Sequence, residues 1–241
     1  MKLTRDLKVE SALLLIAALM LACNLSRLHS GNSNSSSAGN DNPSSPSRSS
    51  SAFKPSADAR KDLGDALRKL KTAYPYRLTE IVSATMNGQT AMQPTTRVVD
   101  FAAPDRSHMK WTGGSGSDME MITIGDKHYW YSDGKWTESP GKSAEERAKR
   151  GMQMEKMLVE ATKDVKYVGS ETINGVPSFA YTYSMEMNLS GNNYTGTGKA
   201  WVGADGLPHQ NDSVFKFSSY EQKSHIVYEY NVNIKVEKPI P

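Results

Sequence analysis

The chain has 241 residues, of which 37% are hydrophobic and 23% are charged, and its formal net charge is +3. The small charge and the even spread of basic residues exclude the concentrated Lys/Arg surface of a nucleic-acid-binding protein, so we expect no nucleic-acid partner. The single cysteine excludes an internal disulfide and a cysteine-based metal cage, and only its position remains to be explained.

Residues 1–22 have the pattern of a signal peptide. Three basic residues, Lys2, Arg5 and Lys8, precede an apolar run over residues 12–22. A run of this length is too short to span a bilayer, which needs about 20 residues, but it is typical of the apolar region of a secretory signal.

The only cysteine, Cys23, follows this run directly. Residues 20–23 (MLAC) resemble a bacterial lipobox, in which the cysteine thiol is diacylated and the chain is cut before it. The alternative is an ordinary signal peptide with an incidental cysteine. We expect lipidation of Cys23, and because Asn24 rather than Asp follows it, we expect attachment to the outer membrane, facing the periplasm.

Residues 23–54 are rich in serine and asparagine and carry few bulky apolar side chains. Such a segment cannot bury enough surface to offset the entropy lost on ordering, so we expect a flexible tether between the anchor and a folded domain over residues 55–241.

The folded part is expected to begin with an amphipathic helix of about four turns. Ser56 is a suitable N-cap, and Pro75 follows the last helical turn. The apolar positions recur at three- and four-residue spacing at Leu63, Ala66, Leu67, Leu70 and Ala73. Beyond it, the Asn87-Gly88 pair predicts a hairpin turn, with the next strand starting near Thr95.

The middle of the chain is predicted to be a meander of short antiparallel strands. Residues 105–111 and 118–124 are separated by a Gly/Ser loop, and tight turns at 125–126 and 133–134 flank the next strand. Turns this close together force neighbouring strands to run antiparallel.

A second helix, of about twenty residues, is predicted after Pro140. Ser143 and Glu146 have the spacing of a capping box. The apolar positions of this helix include three methionines, Met152, Met154 and Met157. Methionine is a flexible filler that suits adaptable binding surfaces, although a methionine stripe on a helix is also compatible with plain core packing.

Residues 179–189 form the most regular strand pattern. Aromatic, methionine and leucine residues alternate with small or polar ones, which predicts a long strand with one apolar face. Residues 226–236 repeat the alternation and predict a second long strand of this kind. With two helices and about ten or eleven antiparallel strands, we expect an α+β fold: a strongly curved, unclosed β-barrel with helices covering its concave face.

Three motifs, taken in order, resemble the LolA-like superfamily. They are residues 100–106 (DFAAPDR), the pair of hairpins at 124–127 (IGDK) and 133–136 (DGKW), and residues 198–208 (GKAWVGADGLP). This superfamily includes periplasmic lipoprotein carriers, their receptor, lipid-binding lipoproteins and a sensor domain. The resemblance implies an unclosed barrel whose concave apolar face, lidded by helices, holds an acyl chain such as palmitate or the acyl chain of a lipoprotein.

The residues that we assign to ligand binding lie on the apolar faces of these strands and helices. They are Leu67, Met154, Met157, Leu158, Phe179, Tyr181, Tyr183, Met185, Met187, Tyr228 and Tyr230. We expect no cofactor, no metal and no enzymatic activity, since metalloprotease, nucleophile-elbow and dinucleotide-binding motifs are absent from the sequence.

Two other hypotheses stay open. In the first, the concave face is a self-filled core and the protein is an envelope sensor or scaffold that acts on a protein partner. In the second, an unrecognised hydrolytic site includes His108 or His128.

Overall fold

A computed structural model of the protein describes residues 52–114, 118–189 and 192–239, leaving out the side chains of five of them, Met154 included. The predicted signal peptide, Cys23 and most of the predicted tether lie outside the described residues.

The described residues form two helices and eleven strands. In chain order the elements are α1 (Ala59–Leu70), β1 (Tyr76–Met86), β2 (Gln89–Ala103), β3 (Arg106–Gly113), β4 (Met119–Ile124), β5 (Lys127–Ser132), β6 (Lys135–Pro140), α2 (Ala144–Ala161), β7 (Thr162–Ile173), β8 (Val176–Leu189), β9 (Asn192–Gly203), β10 (Pro208–Phe217) and β11 (Tyr220–Tyr230).

All the strands belong to one antiparallel sheet. Its order is β6-β5-β4-β3-β2-β1-β11-β10-β9-β8-β7, so the first and last strands of the chain pair in the middle, while β6 and β7 stay at the two ends. The sheet is not closed into a barrel. The predicted α+β fold with an unclosed antiparallel barrel is therefore confirmed.

The alternation in β8 sorts its side chains as the sequence predicts. Tyr181, Tyr183, Met185 and Met187 are buried on the face that carries the helices, while the intervening side chains face the other way. We call the helix-bearing side the inner face and the opposite side the outer face.

Glycines on the inner face of β9 give room for aromatic rings from neighbouring strands. Tyr183 lies opposite Gly198, and Phe215 lies opposite Gly196. A Cβ at Gly198 would stand only 2.3 Å from the Tyr183 side chain, and one at Gly196 only 2.8 Å from the Phe215 ring. The two rings therefore lie flat over the sheet, which only glycine permits at these positions.

The start of α1 differs from the prediction. Asp58, not Ser56, is the N-cap, and its carboxylate accepts a hydrogen bond from the backbone N–H of Lys61 at 2.9 Å. Ser56 instead donates to the carboxylate of Asp62, through its N–H at 2.8 Å and its hydroxyl at 2.7 Å. A buried carboxylate needs these donors, so Ser56 serves Asp62 and the helix begins two residues later.

Two strand boundaries were also predicted wrongly. β2 starts directly after the Asn87-Gly88 turn, at Gln89, because the hairpin continues through residues whose side chains are mostly exposed and carry no apolar alternation. The last strand ends at Tyr230, not at residue 236. Asn231 adopts a left-handed backbone with φ 58°, which ends the strand.

The residues after Tyr230 cover a different part of the sheet. Val236 is buried against Ile122 and Tyr129 of β4 and β5, with Ile234 packed beside them. Residues 231–236 thus alternate apolar and polar side chains without forming a strand. The apolar side chains of Ile234 and Val236 pack on β4 and β5.

In α2 the predicted capping box is present. Ser143 accepts from the backbone N–H of Glu146 at 3.2 Å, and Glu146 accepts from the backbone N–H of Ser143 at 3.0 Å. The helix buries Leu158, while Met152 is 59% exposed and so does not belong to its packed face.

The edge strand β7 is irregular. Its pairing with β8 shifts between Lys163 and Lys166 and again between Tyr167 and Gly169. Asp164, within the first shift, has a left-handed backbone with φ 47°. Such bulges bend a strand and raise its twist.

The buried side chains of the inner face form two main clusters. The helix-side cluster joins α1 and α2 to β8, β9 and β10; its members are Leu63, Ala66, Leu158, Ala161, Tyr181, Tyr183, Met185, Met187, Tyr194, Ala200, Val202 and Phe215. The tyrosine cluster joins the end of α1 to β1, β2, β3 and β11; its members are Leu70, Tyr76, Leu78, Val99, Phe101, Met109, Ile226 and Tyr228.

Candidate functional site

A cleft of about 250 Å³ lies between α1, the last turns of α2 and the start of β7. Its apolar walls are Leu63, Leu67, Leu158, Val159 and Val165. The apolar residues of α1 recur at three- and four-residue spacing and so form one side of the helix. On this side Leu63 and Ala66 pack towards the sheet, and Leu67 faces the cleft.

The floor of the cleft is continuous with the apolar core. Leu63 and Leu158 line the cleft and are also members of the helix-side cluster, where they pack with Tyr181, Tyr183 and Met185. A hydrocarbon chain that entered between α1 and α2 would therefore reach the buried inner face of β8.

Polar contacts hold α1 onto the sheet. The hydroxyl of Tyr181 donates to the buried carboxylate of Asp62 at 3.1 Å, and Ser56 donates to the same carboxylate. Burial, together with the Asp62 charge, raises the pKa of Tyr181 and keeps its hydroxyl a donor.

A polar side chain of α1 reaches α2 across the cleft. The guanidinium of Arg60 on α1 donates to the backbone carbonyl of Val159 in the last turn of α2. That turn has no basic residue of its own, so Arg60 supplies the positive charge that the C-terminal end of a helix favours.

The structure gathers most of the predicted ligand-binding residues around this cleft and its floor. Buried in the helix-side cluster are Leu158, Tyr181, Tyr183, Met185 and Met187, with Met157 and Phe179 packed against it and half-buried. Leu67 lines the cleft itself, and the side chain of Met154 lies outside the described residues. In the structure these positions are packed by the protein's own side chains.

Tyr228 and Tyr230 are placed elsewhere. Tyr228 belongs to the tyrosine cluster and Tyr230 packs against it. These two residues are therefore not neighbours of Tyr183 and Met185, because β9 and β10 lie between β8 and β11.

A buried ion pair lies on the inner face of β1 and β2, the first two strands of the tyrosine cluster. Arg97 on β2 donates to Glu80 on β1, and the hydroxyl of Ser224 donates to the other carboxylate oxygen of Glu80 at 2.6 Å. The Arg97 guanidinium also lies over the Trp111 ring, 5.5 Å from its centroid. Glu80 and Arg97 are 2% and 3% exposed, and burial lowers the pKa of Arg97.

A second cavity, of about 750 Å³, lies on the outer face and was missed by sequence reasoning. It runs from Asp164 and Lys166 on β7 to Ile81 and Ser83 on β1. Its charges are largely matched, as with His225, whose Nδ1 lies 2.6 Å from a carboxylate oxygen of Asp212. The outward residues of these strands show no sequence signal, since they meet only after the sheet has curved.

The histidines considered for a hydrolytic site have structural partners. His108 on β3 contacts the carboxylate of Glu120 on β4. His128 contacts the hydroxyl of Thr123 at 3.0 Å, and burial lowers its pKa. Within residues 52–114, 118–189 and 192–239, no group of three or more His, Cys, Asp or Glu side chains could hold a metal ion. Neither helix of this described part is long and apolar enough to cross a membrane.

The described residues form an unclosed antiparallel sheet whose inner apolar face is covered by two helices, which is the architecture that the resemblance to LolA-like proteins implies. No protein-family profile matches the chain, and a search of curated proteins returns no significant match.

Solved structures give three comparisons. LprF from Mycobacterium bovis is 11% identical with a TM-score of 0.48, over 78% of this chain and 100% of that one. The lipoprotein LppX from Mycobacterium tuberculosis is 13% identical with a TM-score of 0.48, over 74% of this chain and 98% of that one. A LolA superfamily protein from Nitrosomonas europaea is 6% identical with a TM-score of 0.36, over 74% and 96%. The similarity at these values is one of fold alone.

Proposed function

We propose that this protein is a bacterial envelope lipoprotein, attached through Cys23 to the outer membrane, that binds an acylated or otherwise apolar ligand between its sheet and its two helices. The observation that carries the proposal is the cleft between α1 and α2, whose walls Leu63 and Leu158 continue into the buried apolar face of β8. No catalytic step is part of it.

The energetics favour such a ligand. Burying a chain of about 16 carbons contributes on the order of 10 kcal/mol before costs, at about 0.8 kcal/mol per CH₂. The cleft, at about 250 Å³, is smaller than the roughly 300–1,000 Å³ of usual ligand sites. The proposal therefore requires α1 and α2 to move apart when the ligand enters, at the cost of polar contacts such as the one between Arg60 and Val159.

A second candidate function is an envelope sensor or scaffold that acts through protein contacts. It is favoured by the close packing of the inner face, where Tyr181, Tyr183 and Met185 are all buried by the protein's own side chains. In that case the helices are a permanent part of the core and no apolar ligand enters.

Photo-crosslinking separates the two. The full chain, exported by a bacterial host, is labelled with a photoreactive palmitate analogue, and the labelled peptides are mapped by mass spectrometry. Lipid binding predicts labels on α1, α2 and β8. Labels that are absent, or confined to the outer face, would favour the sensor or scaffold.

A matched pair of variants on α2 sharpens the test. Val159→Gln places an amide in the cleft wall, whereas Met152→Gln makes the same kind of change two turns earlier at an exposed position outside it. We expect the first to reduce labelling several-fold and the second to leave it unchanged. Equal labelling of both variants would contradict the assignment of the site.

A further inference from the structure

The entrance of the cleft between α1 and α2 is rich in positive charge. Four cations line it, namely Arg60, Lys61, Arg68 and Lys71 on α1 and its C-cap. The only carboxylate among the lining residues is Asp58.

The carboxylates at this entrance are already used. Asp58 accepts the backbone N–H of Lys61 as the N-cap of α1. Asp65, beside the cleft, forms ion pairs with both Lys61, at 2.7 Å, and Arg68. With the buried Asp62 of the same helix included, four cations stand against three carboxylates among the described side chains, so the entrance keeps a net excess of one positive charge.

This excess is local to α1. The longer helix α2 carries four cations and four carboxylates along its 18 residues. The net charge of the whole chain is also only +3. The cations are therefore concentrated where the apolar walls open to solvent, and this combination is complementary to a molecule with a hydrocarbon chain and an anionic end.

We propose that the ligand of this cleft is an anionic amphiphile, with its chain against Leu67 and Leu158 and its phosphate or carboxylate head group held by the cations of α1. The inference rests on the proposed function and adds the class of head group. Lys61 and Arg68 are its central residues, because both line the cleft and reach the same carboxylate, so that an anionic head group would share them with Asp65.

Competition between two detergents of equal chain length tests this. The full exported chain, stripped of lipid and held in a non-ionic amphipol, is labelled with the photoreactive palmitate analogue. Dodecyl phosphate and dodecylphosphocholine compete below their micelle concentrations. We expect the anionic competitor to halve labelling at a concentration about tenfold lower, and we expect this advantage to shrink as salt is raised.

Variants that remove positive or negative charge from α1 should change the half-effective concentration of dodecyl phosphate in opposite directions. Lys61→Gln with Arg68→Gln should raise the half-effective concentration of dodecyl phosphate about tenfold and leave that of dodecylphosphocholine unchanged. Asp65→Asn should lower the half-effective concentration of dodecyl phosphate. The matched control is Lys69→Gln, which removes an α1 cation that reaches the carbonyl of Asp205 and does not line the cleft.

Each of the other possible results contradicts one part of the proposal. Equal competition by the two detergents would overturn the anionic head group and leave lipid binding standing. No competition by either would overturn lipid binding and, with it, this inference. Displacement of the label by inorganic phosphate alone, at concentrations like those of dodecyl phosphate, would identify a phosphate site in place of a lipid site.

Discussion

The helix-side cluster and the tyrosine cluster share one face of one sheet but are closed in different ways. In the tyrosine cluster, aromatic rings cover most of the face and α1 adds only Leu70 at its end: Tyr76 stacks on Phe101 with centroids 4.7 Å apart and lies 6.1 Å from Tyr230. In the helix-side cluster, α1 and α2 close the face and leave a cleft between them.

The difference shows which part of the face can open. Exposing the tyrosine cluster would separate rings fixed to strands that pair with one another, whereas exposing the helix-side cluster requires only that two helices shift. The ion pair of Glu80 and Arg97 lies on the inner face of β1 and β2, among the strands of the tyrosine cluster. A ligand is therefore expected to enter the helix-side cluster and not the tyrosine cluster.

Breaking the buried ion pair of β1 and β2 should lower stability strongly. We expect Arg97→Met to lower the free energy of unfolding by about 3–5 kcal/mol, because it leaves the Glu80 carboxylate buried without its counter-charge. Adding Glu80→Met should restore most of the loss. Urea unfolding measures both. The control is Arg77→Met, which breaks the more exposed pair with Asp100 and should cost about 1 kcal/mol or less. Equal losses for Arg97 and Arg77 would refute the structural role of the buried ion pair.

Removing a ring from the closed region should affect stability but not ligand uptake. Phe101→Ala should cost about 3–5 kcal/mol of unfolding free energy while labelling by the palmitate analogue stays the same. Leu67→Ala should do the reverse, with about 1 kcal/mol lost because Leu67 is only half-buried, and with reduced labelling. Reduced labelling in the Phe101 variant would mean that the ligand reaches the tyrosine cluster.

A pH titration should reveal the closed state of the helix-side cluster. Burial raises the pKa of Tyr183 to about 12 in the folded protein, against about 10 in the unfolded chain. The stability that this group contributes is fully present below pH 10 and is lost as the pH rises towards 12. Tyr183→Phe should therefore make the unfolding free energy less sensitive to pH across that window. A tyrosinate absorbance that develops near pH 10 for all tyrosines would show that the face is open.

The smallest effect is expected at Ser213. Its hydroxyl is buried on the inner face of β10 without a hydrogen-bond partner in the structure. Because an unsatisfied buried hydroxyl is destabilising, Ser213→Ala should raise the unfolding free energy by about 1 kcal/mol. A loss of stability on thermal unfolding would show that the hydroxyl has a partner after all.

Much of the fold could be predicted from local patterns. The alternation of residues 179–189 identifies the inner face of β8, and Ser143 with Glu146 identifies the start of α2. The same reasoning failed at residues 231–236, because Asn231 ends the last strand while apolar alternation continues beyond it. It also joined Tyr228 to Tyr183, since a strand pattern gives the face of a residue but not its distance across the sheet.

The cleft itself was only partly predictable. The apolar side of α1 identifies Leu67, but the concentration of Arg60, Lys61 and Arg68 around an opening depends on where α2 ends. The role of Glu80 and Arg97 was likewise hidden, because charged residues at inward positions of strands pair only once the register of β1 and β2 is known.

The bulges of β7 affect how readily copies of the domain can associate through the edges of their sheets. An open sheet exposes the hydrogen-bonding groups of its edge strands, and such an edge can recruit another strand. Anchoring many copies to one membrane would raise their local concentration and the risk of edge-to-edge association. The two register shifts, with Lys163 and Lys166 on either side of the first, give the β7 edge an irregular and charged outline that a straight strand cannot match. The irregularity of β7 therefore makes this edge of the sheet a poor template for pairing with a strand of another copy.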